Sequence, residues 1–239
     1  MAIHFKELAF ASTPLGDLML RRRRMSIFGD LDIYEIKLGD DFLMSNLFHE
    51  AETQLSKLGL AELDSSQLDV VVGGLGLGFT GLAALEDPRV NSLVIVDYLP
   101  EIIEWHKSGL IPFGKKLVED SRCCIHHGDF FAMSRDVSSS FDPANPKKKH
   151  DAILLDIDHT PSNVLHQSNA RFYTSEGLSE LKTHLKPGGV FGLWADGNPD
   201  TAFKKHLSSV FSNVDSHTIE FDNPIIGRKS SGAVYVART

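Results

Sequence analysis

The sequence predicts an α/β protein: a doubly wound, mostly parallel sheet preceded by a small N-terminal β element. Three observations predict it. From Asp69 onward, short β-branched runs alternate with segments whose apolar residues recur at three- and four-residue spacing. Stretches of these runs such as Val70–Val72 and Ile153–Leu155 are apolar at consecutive positions, as strands buried on both faces are, and helices on either side of a parallel sheet produce that burial. The first run passes straight into a series of glycines, the usual link from a buried strand to a helix at the ligand-binding edge of such a sheet.

The elements follow in order. Gly16 to Leu20 and Leu31 to Leu38 show partial period-two patterns around a turn-rich stretch at Gly29 and Asp30, which predicts a small antiparallel element within residues 1–42. The run Arg21 to Arg24 beside it reads as a solvated edge that discourages strand pairing rather than as a phosphate or membrane patch. Leu43, Leu47, Ala51, Leu55 and Leu58 predict an amphipathic helix leading into a domain over residues 43–239. Strands are predicted at Asp69–Val72, Ser92–Asp97, Cys124–His127, Asp151–Asp156, Val190–Trp194 and Ala233–Ala237. Helices are predicted at Thr80–Leu85, Leu99–Ser108, Phe172–Leu185 and Asp200–Phe211. Ser138 to Lys149, with Asp142, Pro143 and Pro146, reads as a surface loop, and there is no internal repeat.

Composition narrows the function. The 239 residues are 42% hydrophobic and 23% charged, which supports a core and excludes a disordered chain. With 32 acidic against 24 basic residues the net charge is −8, a field that repels phosphate backbones, so no nucleic-acid partner is expected. The two cysteines, Cys123 and Cys124, are neighbours and cannot staple a secreted scaffold, so a reducing cytoplasm is the expected home. Met1 to Phe10 carries Lys6 and Glu7, and no run approaches the roughly 18 apolar residues of a membrane span, so neither leader, anchor nor membrane partner is expected. Eleven histidines invite a metal reading, but His49 and Glu50 are followed by Ala51, Glu52 and Thr53. The paired-histidine zinc pattern is absent, and no metal is expected.

The chemistry should gather around Val70 to Thr80, where Gly74, Gly76 and Gly78 bring bare backbone close to a ligand. Asp97 ends the next strand run about twenty residues later, where a carboxylate can accept both hydroxyls of a ribose. Gly128 and Asp129 follow the third strand, and Asp156 and Asp158 the fourth. Any one such aspartate could be a turn former or a cap, but three successive strand ends beside a glycine loop mark a site. The even glycine spacing, with Phe79 where a dinucleotide fingerprint wants glycine, suits an adenosyl sulfonium nucleoside better than a pyrophosphate. No Lys-Ser or Lys-Thr closes a phosphate loop.

From Phe48 to Gly189 these residues resemble the polyamine aminopropyltransferases, the spermidine synthase family. The resemblance implies a class I methyltransferase-like, Rossmann-type domain behind a small β-domain. Val72 to Gly78 is similar to the family's glycine loop, Asp97 to its ribose-binding acid, and Gly128, Asp129 and Phe130 to the turn at the adenine amino group. Asp156 to Pro161 resembles the aspartate-rich active-site loop, Phe172 to Gly189 the following helix and Lys-Pro-Gly-Gly turn, and Phe48, His49 and Glu50 the element that closes over the aminopropyl group. The resemblance implies decarboxylated S-adenosylmethionine as donor, a small-molecule diamine such as putrescine as acceptor, and a homodimer or higher homo-oligomer.

Two departures keep alternatives open. Leu77 stands where the family's loop carries an aspartate, and Phe48 lacks the tyrosine hydroxyl. Each loss removes a charge-assisted contact to the amine worth about 1.5 to 3 kcal/mol. A methyltransferase using S-adenosylmethionine, or a catalytically silent nucleoside-binding protein, therefore stands beside the first reading. For amine transfer, Asp156 is expected to orient the acceptor and take its proton, with Asp158 and His159 as further catalytic groups. Tyr173, and with it Trp105 and His106, are expected near the pocket, although Trp105 on a helix suits the core.

Overall fold

The computed structural model describes residues 4–239; Met1 to Ile3 of the opening stretch lie outside them. The N-terminal chain forms a four-stranded antiparallel sheet in the order β1 (His4–Thr13), β2 (Gly16–Arg24), β3 (Ile33–Leu38) and β4 (Asp41–Ser45). This sheet runs to Ser45, so the expected helix over Leu43 and Leu47 is corrected: α1 spans Glu50–Ala61, and Leu43 belongs to β4. The arginine run is corrected too. It lies in an interior strand, β2, paired on one side with β1 and on the other with β3. Arg21 and Arg23 both reach the fully buried Glu35, each at 2.6 Å. Two guanidiniums around one buried carboxylate supply the partners that a charge inside a sheet requires.

The main sheet has seven strands in the order β10 (Asn213–Asn223), β11 (Arg228–Arg238), β9 (Leu185–Asp196), β8 (His150–Leu155), β5 (Leu68–Gly73), β6 (Val90–Asp97) and β7 (Cys123–His127). The pairs from β9 to β7 are parallel, and β10 and β11 are added antiparallel at one edge. From β5 the chain builds outward through β6 to β7, then returns to place β8 on the other side of β5. That reversal opens a crevice at the carboxyl ends of β5 and β8, where open α/β sheets bind ligands.

Helices α1, α2 (Phe79–Leu85), α3 (Pro100–Lys107) and α4 (Lys115–Glu119) belong to one half of the chain, and α5 (Phe130–Arg135), α6 (Ser175–Lys182) and α7 (Thr201–Val210) to the other. Two apolar clusters result. Val70, Val72 and Ile95 lie in one, while Val71, Val94 and Ile153 lie in the other with the aromatic group Phe130, Phe131, Phe141 and Phe172. Adjacent residues of one strand enter opposite clusters, the two-sided burial read from the uninterrupted apolar runs. The expected helix from Phe172 to Leu185 is shorter: a 3₁₀ turn ends at Tyr173, α6 begins at Ser175 behind the Thr174 cap, and β9 starts at Leu185. The Ser138–Lys149 segment is the loop expected, pinned where Lys148 meets Asp69 at 2.9 Å. No helix among the described residues is long and apolar enough to cross a membrane.

Candidate active site

The glycine loop between β5 and α2 is forced by close approach. Gly74 has φ of 95°, and a Cβ there would fall 2.0 Å from the Asp156 carbonyl oxygen; a Cβ at Gly76 would meet the Met44 sulfur at 2.5 Å. Asp97, at the end of β6, holds this loop. Its Oδ2 accepts the Leu75 N–H and its Oδ1 the Leu99 N–H, both at 2.8 Å. Burial pushes the carboxyl up from its ordinary range, and the amides of Leu99, Leu75 and Gly76 oppose that rise. His106 Nε2 lies 2.8 Å from the Gly76 carbonyl, so the ring donates there. Burial pushes its pKa below the ordinary imidazole value, and the bond to Gly76 opposes that. His106 is thus an anchor of the loop, and Trp105 is in the core.

Two cavities meet at the strand ends, with Ile157 lining both. The first, about 220 Å³, is lined by Tyr98, Asp129, Phe130, Ile157 and Asn169, with Pro14 and Leu15 contributed by the β1–β2 turn. Asp129 caps α5 by accepting the Ala132 N–H at 3.0 Å, and its side chain borders this space. Phe130 touches the cavity from the aromatic cluster, stacked on Phe141. The second cavity, about 270 Å³, has Glu52, Asp156, His159 and Asp196 as its ionisable lining, with aromatic walls from Phe48, Trp194 and Phe221. Thr80 Oγ1 donates to Asp156 Oδ2 at 2.6 Å. Burial lifts Asp156 to about 6, and burial together with the Asp156 charge lifts Glu52 to about 8. Among the described residues neither cavity has a lysine or arginine in its lining, and Asp97, closed around the loop amides, lines neither of them.

Several expected site residues stand elsewhere. Asp158 is only 2% exposed and accepts from the Leu165 N–H at 2.6 Å, the Tyr173 hydroxyl at 2.8 Å and Asn169 Nδ2 at 3.0 Å. It lines neither cavity; with Tyr173 it ties the loop after β8 to the 3₁₀ turn. The closing element is split. Phe48 stacks on Phe221 at 5.3 Å in the second cavity, while His49 stacks on Phe79 at 4.0 Å and faces a separate groove with Thr53 and Lys57. Glu50 is exposed at the first turn of α1. Leu77 is 1% exposed within the core and borders neither cavity. Leu77→Asp therefore buries a carboxyl instead of restoring an amine contact. A pKa rise of about 3 units on burial corresponds to about 4 kcal/mol lost, which urea unfolding measures.

Glu52 is the residue that sequence reasoning missed. The signal was there: Glu52 and Ser56 put two polar side chains four apart beside the apolar stripe of Ala51, Leu55 and Leu58.

No protein-family model matches the chain. In sequence it is similar to the polyamine aminopropyltransferase of Sulfolobus acidocaldarius, 27% identical over 166 residues, which cover 68% of this chain and 48% of that protein. The chain thus spans about half the length of that curated relative. In structure it matches the spermidine synthase of Thermotoga maritima with a TM-score of 0.71 at 15% identity, over 97% of this chain and 72% of that one. The fold is that of the spermidine synthases. A spermidine synthase in complex with the transition-state analogue AdoDATO matches with a TM-score of 0.71 at 14% identity, over 97% and 72% of the two chains. A probable spermidine synthase from Corynebacterium glutamicum matches with 0.62 at 15%, over 96% and 79%. In this fold both cavities lie at the carboxyl ends of the parallel strands and share Ile157.

Proposed function

We propose that this chain is an aminopropyltransferase that moves the aminopropyl group of decarboxylated S-adenosylmethionine to a diamine such as putrescine. The observation that carries the reading is the acidic second cavity beside the first, which Asp129 lines, with no lysine or arginine among the described residues lining either space. An acidic wall with no cation attracts amines. It also selects between donors: a carboxylate about 6 Å from a floor charge costs about 3 kcal/mol at an effective dielectric of 20. That argues against the carboxylated donor and against methyl transfer from it, although Leu77 and Phe48 depart from the family pattern. Kinship with a polyamine aminopropyltransferase, and a fold shared with a spermidine synthase that holds AdoDATO, support the same reading.

In this reading Asp97 and Asp129 hold the nucleoside, the glycine loop passes beneath it, and Asp156 orients the acceptor. Phe48, Phe221 and Trp194 keep water from the reacting carbon, so that catalysis is chiefly alignment. The acceptor nitrogen attacks the carbon next to the sulfonium. The carbon–sulfur bond breaks with its electrons returning to sulfur, and methylthioadenosine leaves neutral. The reading carries with it a homodimer or higher homo-oligomer in the cytoplasm.

Calorimetry with the two donors and methylthioadenosine, followed by product analysis with putrescine, tests it. The decarboxylated donor should bind at least about tenfold more tightly, since about 1.4 kcal/mol is tenfold. Tighter binding of the carboxylated donor would turn the reading to methyl transfer; nucleoside binding without turnover would turn it to a silent binding protein.

A further inference from the structure

Glu52 belongs to a helix that the sequence reads as a connector, yet its carboxyl lines the same cavity as Asp156. The packing of α1 fixes that placement. Ser56, one turn along, donates to the Thr80 carbonyl at 2.7 Å, and Thr80 in turn holds Asp156. A Cβ at Gly59 would fall 2.9 Å from Leu154 Cδ2, so the helix is pressed against β8, the strand that delivers Asp156. In the same cavity the Trp194 indole N–H is buried with no partner among the described residues. That N–H can donate to an acceptor atom of an occupant, whereas an ammonium has to be met by the carboxylates.

We propose that Glu52 is the second carboxylate of the amine site, acting with Asp156 on one amino group of the acceptor. The proposal deepens the aminopropyltransferase reading and rests on it for the identity of the substrate. It also transfers to Glu52 the part that the sequence assigned to Asp158. The ionisable groups around Glu52 are Glu50 on its own helix, Asp156 and His159 from the end of β8 and its loop, and Asp196 from β9; the lining contributed by β4, β10 and β11 is uncharged.

Burial raises both carboxyls above their ordinary range, Glu52 further than Asp156 because the Asp156 charge adds to it, so near neutral pH the proposed pair shares one proton and carries one negative charge. It therefore matches one ammonium, and as a base it is stronger than an ordinary aspartate, whose carboxyl titrates near 3.8. The ammonium gives its proton to Asp156, and the freed lone pair forms the new carbon–nitrogen bond as the carbon–sulfur bond breaks. One positive charge remains, on the product amine, and the pair is neutral until its extra proton passes to water.

Infrared titration of the ligand-free protein, followed by steady-state kinetics with the decarboxylated donor and putrescine over the same pH range, tests the pair. Wild type should show carboxyl titrations near 6 and 8. Glu52→Gln should erase the upper one, and Asp156→Asn should move it down, because the charge that raises Glu52 is gone. In turnover, Glu52→Gln should lower kcat about tenfold at neutral pH, since the amide presents N–H groups to an ammonium, and should remove the change in kcat and amine KM near pH 8. Two carboxyls fully ionised at neutral pH, or an upper limb unchanged by Glu52→Gln, would overturn the proposal. A wild-type chain with both titrations and no aminopropyl product would keep the pair and overturn the reaction.

Discussion

Asp156→Asn is expected to cut turnover by about 100- to 10,000-fold, the usual contribution of a general base, while methylthioadenosine binding stays nearly unchanged. The substitution keeps the size of the side chain and its contact with Thr80, so it isolates charge, and in the proposed reading the nucleoside is held elsewhere, by Asp97 and Asp129. Raising the pH should partly restore the rate, because free amine then arrives without help. The same change bears on stability. A carboxyl whose folded pKa is raised to about 6 from 3.8 costs the folded state stability as the pH rises through that interval, and the full penalty remains above it. The asparagine variant should therefore match or exceed wild type in thermal stability at pH 8 while being the slower enzyme. Parallel melting and rate measurements check both halves. An equal loss of methylthioadenosine affinity would make Asp156 a nucleoside contact instead.

Asp97→Ala is expected to weaken decarboxylated S-adenosylmethionine, S-adenosylmethionine and methylthioadenosine alike, by about 100-fold or more. The ribose is common to all three, and charge-assisted hydrogen bonds to its hydroxyls are worth about 1.5 to 3 kcal/mol each. The loss has a second source within the protein: the Leu75 and Leu99 amides lose their acceptor, so the glycine loop relaxes as well. Asp97→Asn separates the two sources, since one amide oxygen can still accept. Calorimetry with methylthioadenosine decides, and unchanged affinity would remove the nucleoside from the β6 end of the sheet.

Much of this arrangement is legible in the sequence. Runs such as Val70–Val72 and Ile153–Leu155 are apolar on both faces, and burial on two faces is a property that each strand carries in its own residues. The glycine loop and the aspartates at 97, 129 and 156 were legible for a related reason: chain direction alone puts the carboxyl ends of parallel strands on one edge. The antiparallel edge strand β10 was not, because Asn213–Asn223 mixes polar and apolar residues and becomes a strand by pairing along its whole length with β11. Nor was the interior position of Arg21 and Arg23, which depends on Glu35 arriving in β3 opposite Arg21 and diagonal to Arg23.

At the site itself, sequence determined that carboxylates would gather at the strand ends, and tertiary structure decided which of them face the cavity. Asp156 and Asp158 are two residues apart in a loop, where no period fixes direction; Tyr173 and Asn169 claim one of them and leave the other to the pocket. Glu52 enters from a helix more than a hundred residues upstream, brought there by packing against β8. Leu77 lies in the glycine loop by sequence and in the core by structure. Periodicity is local, whereas the direction of a loop side chain is set by whatever distant segment packs against it.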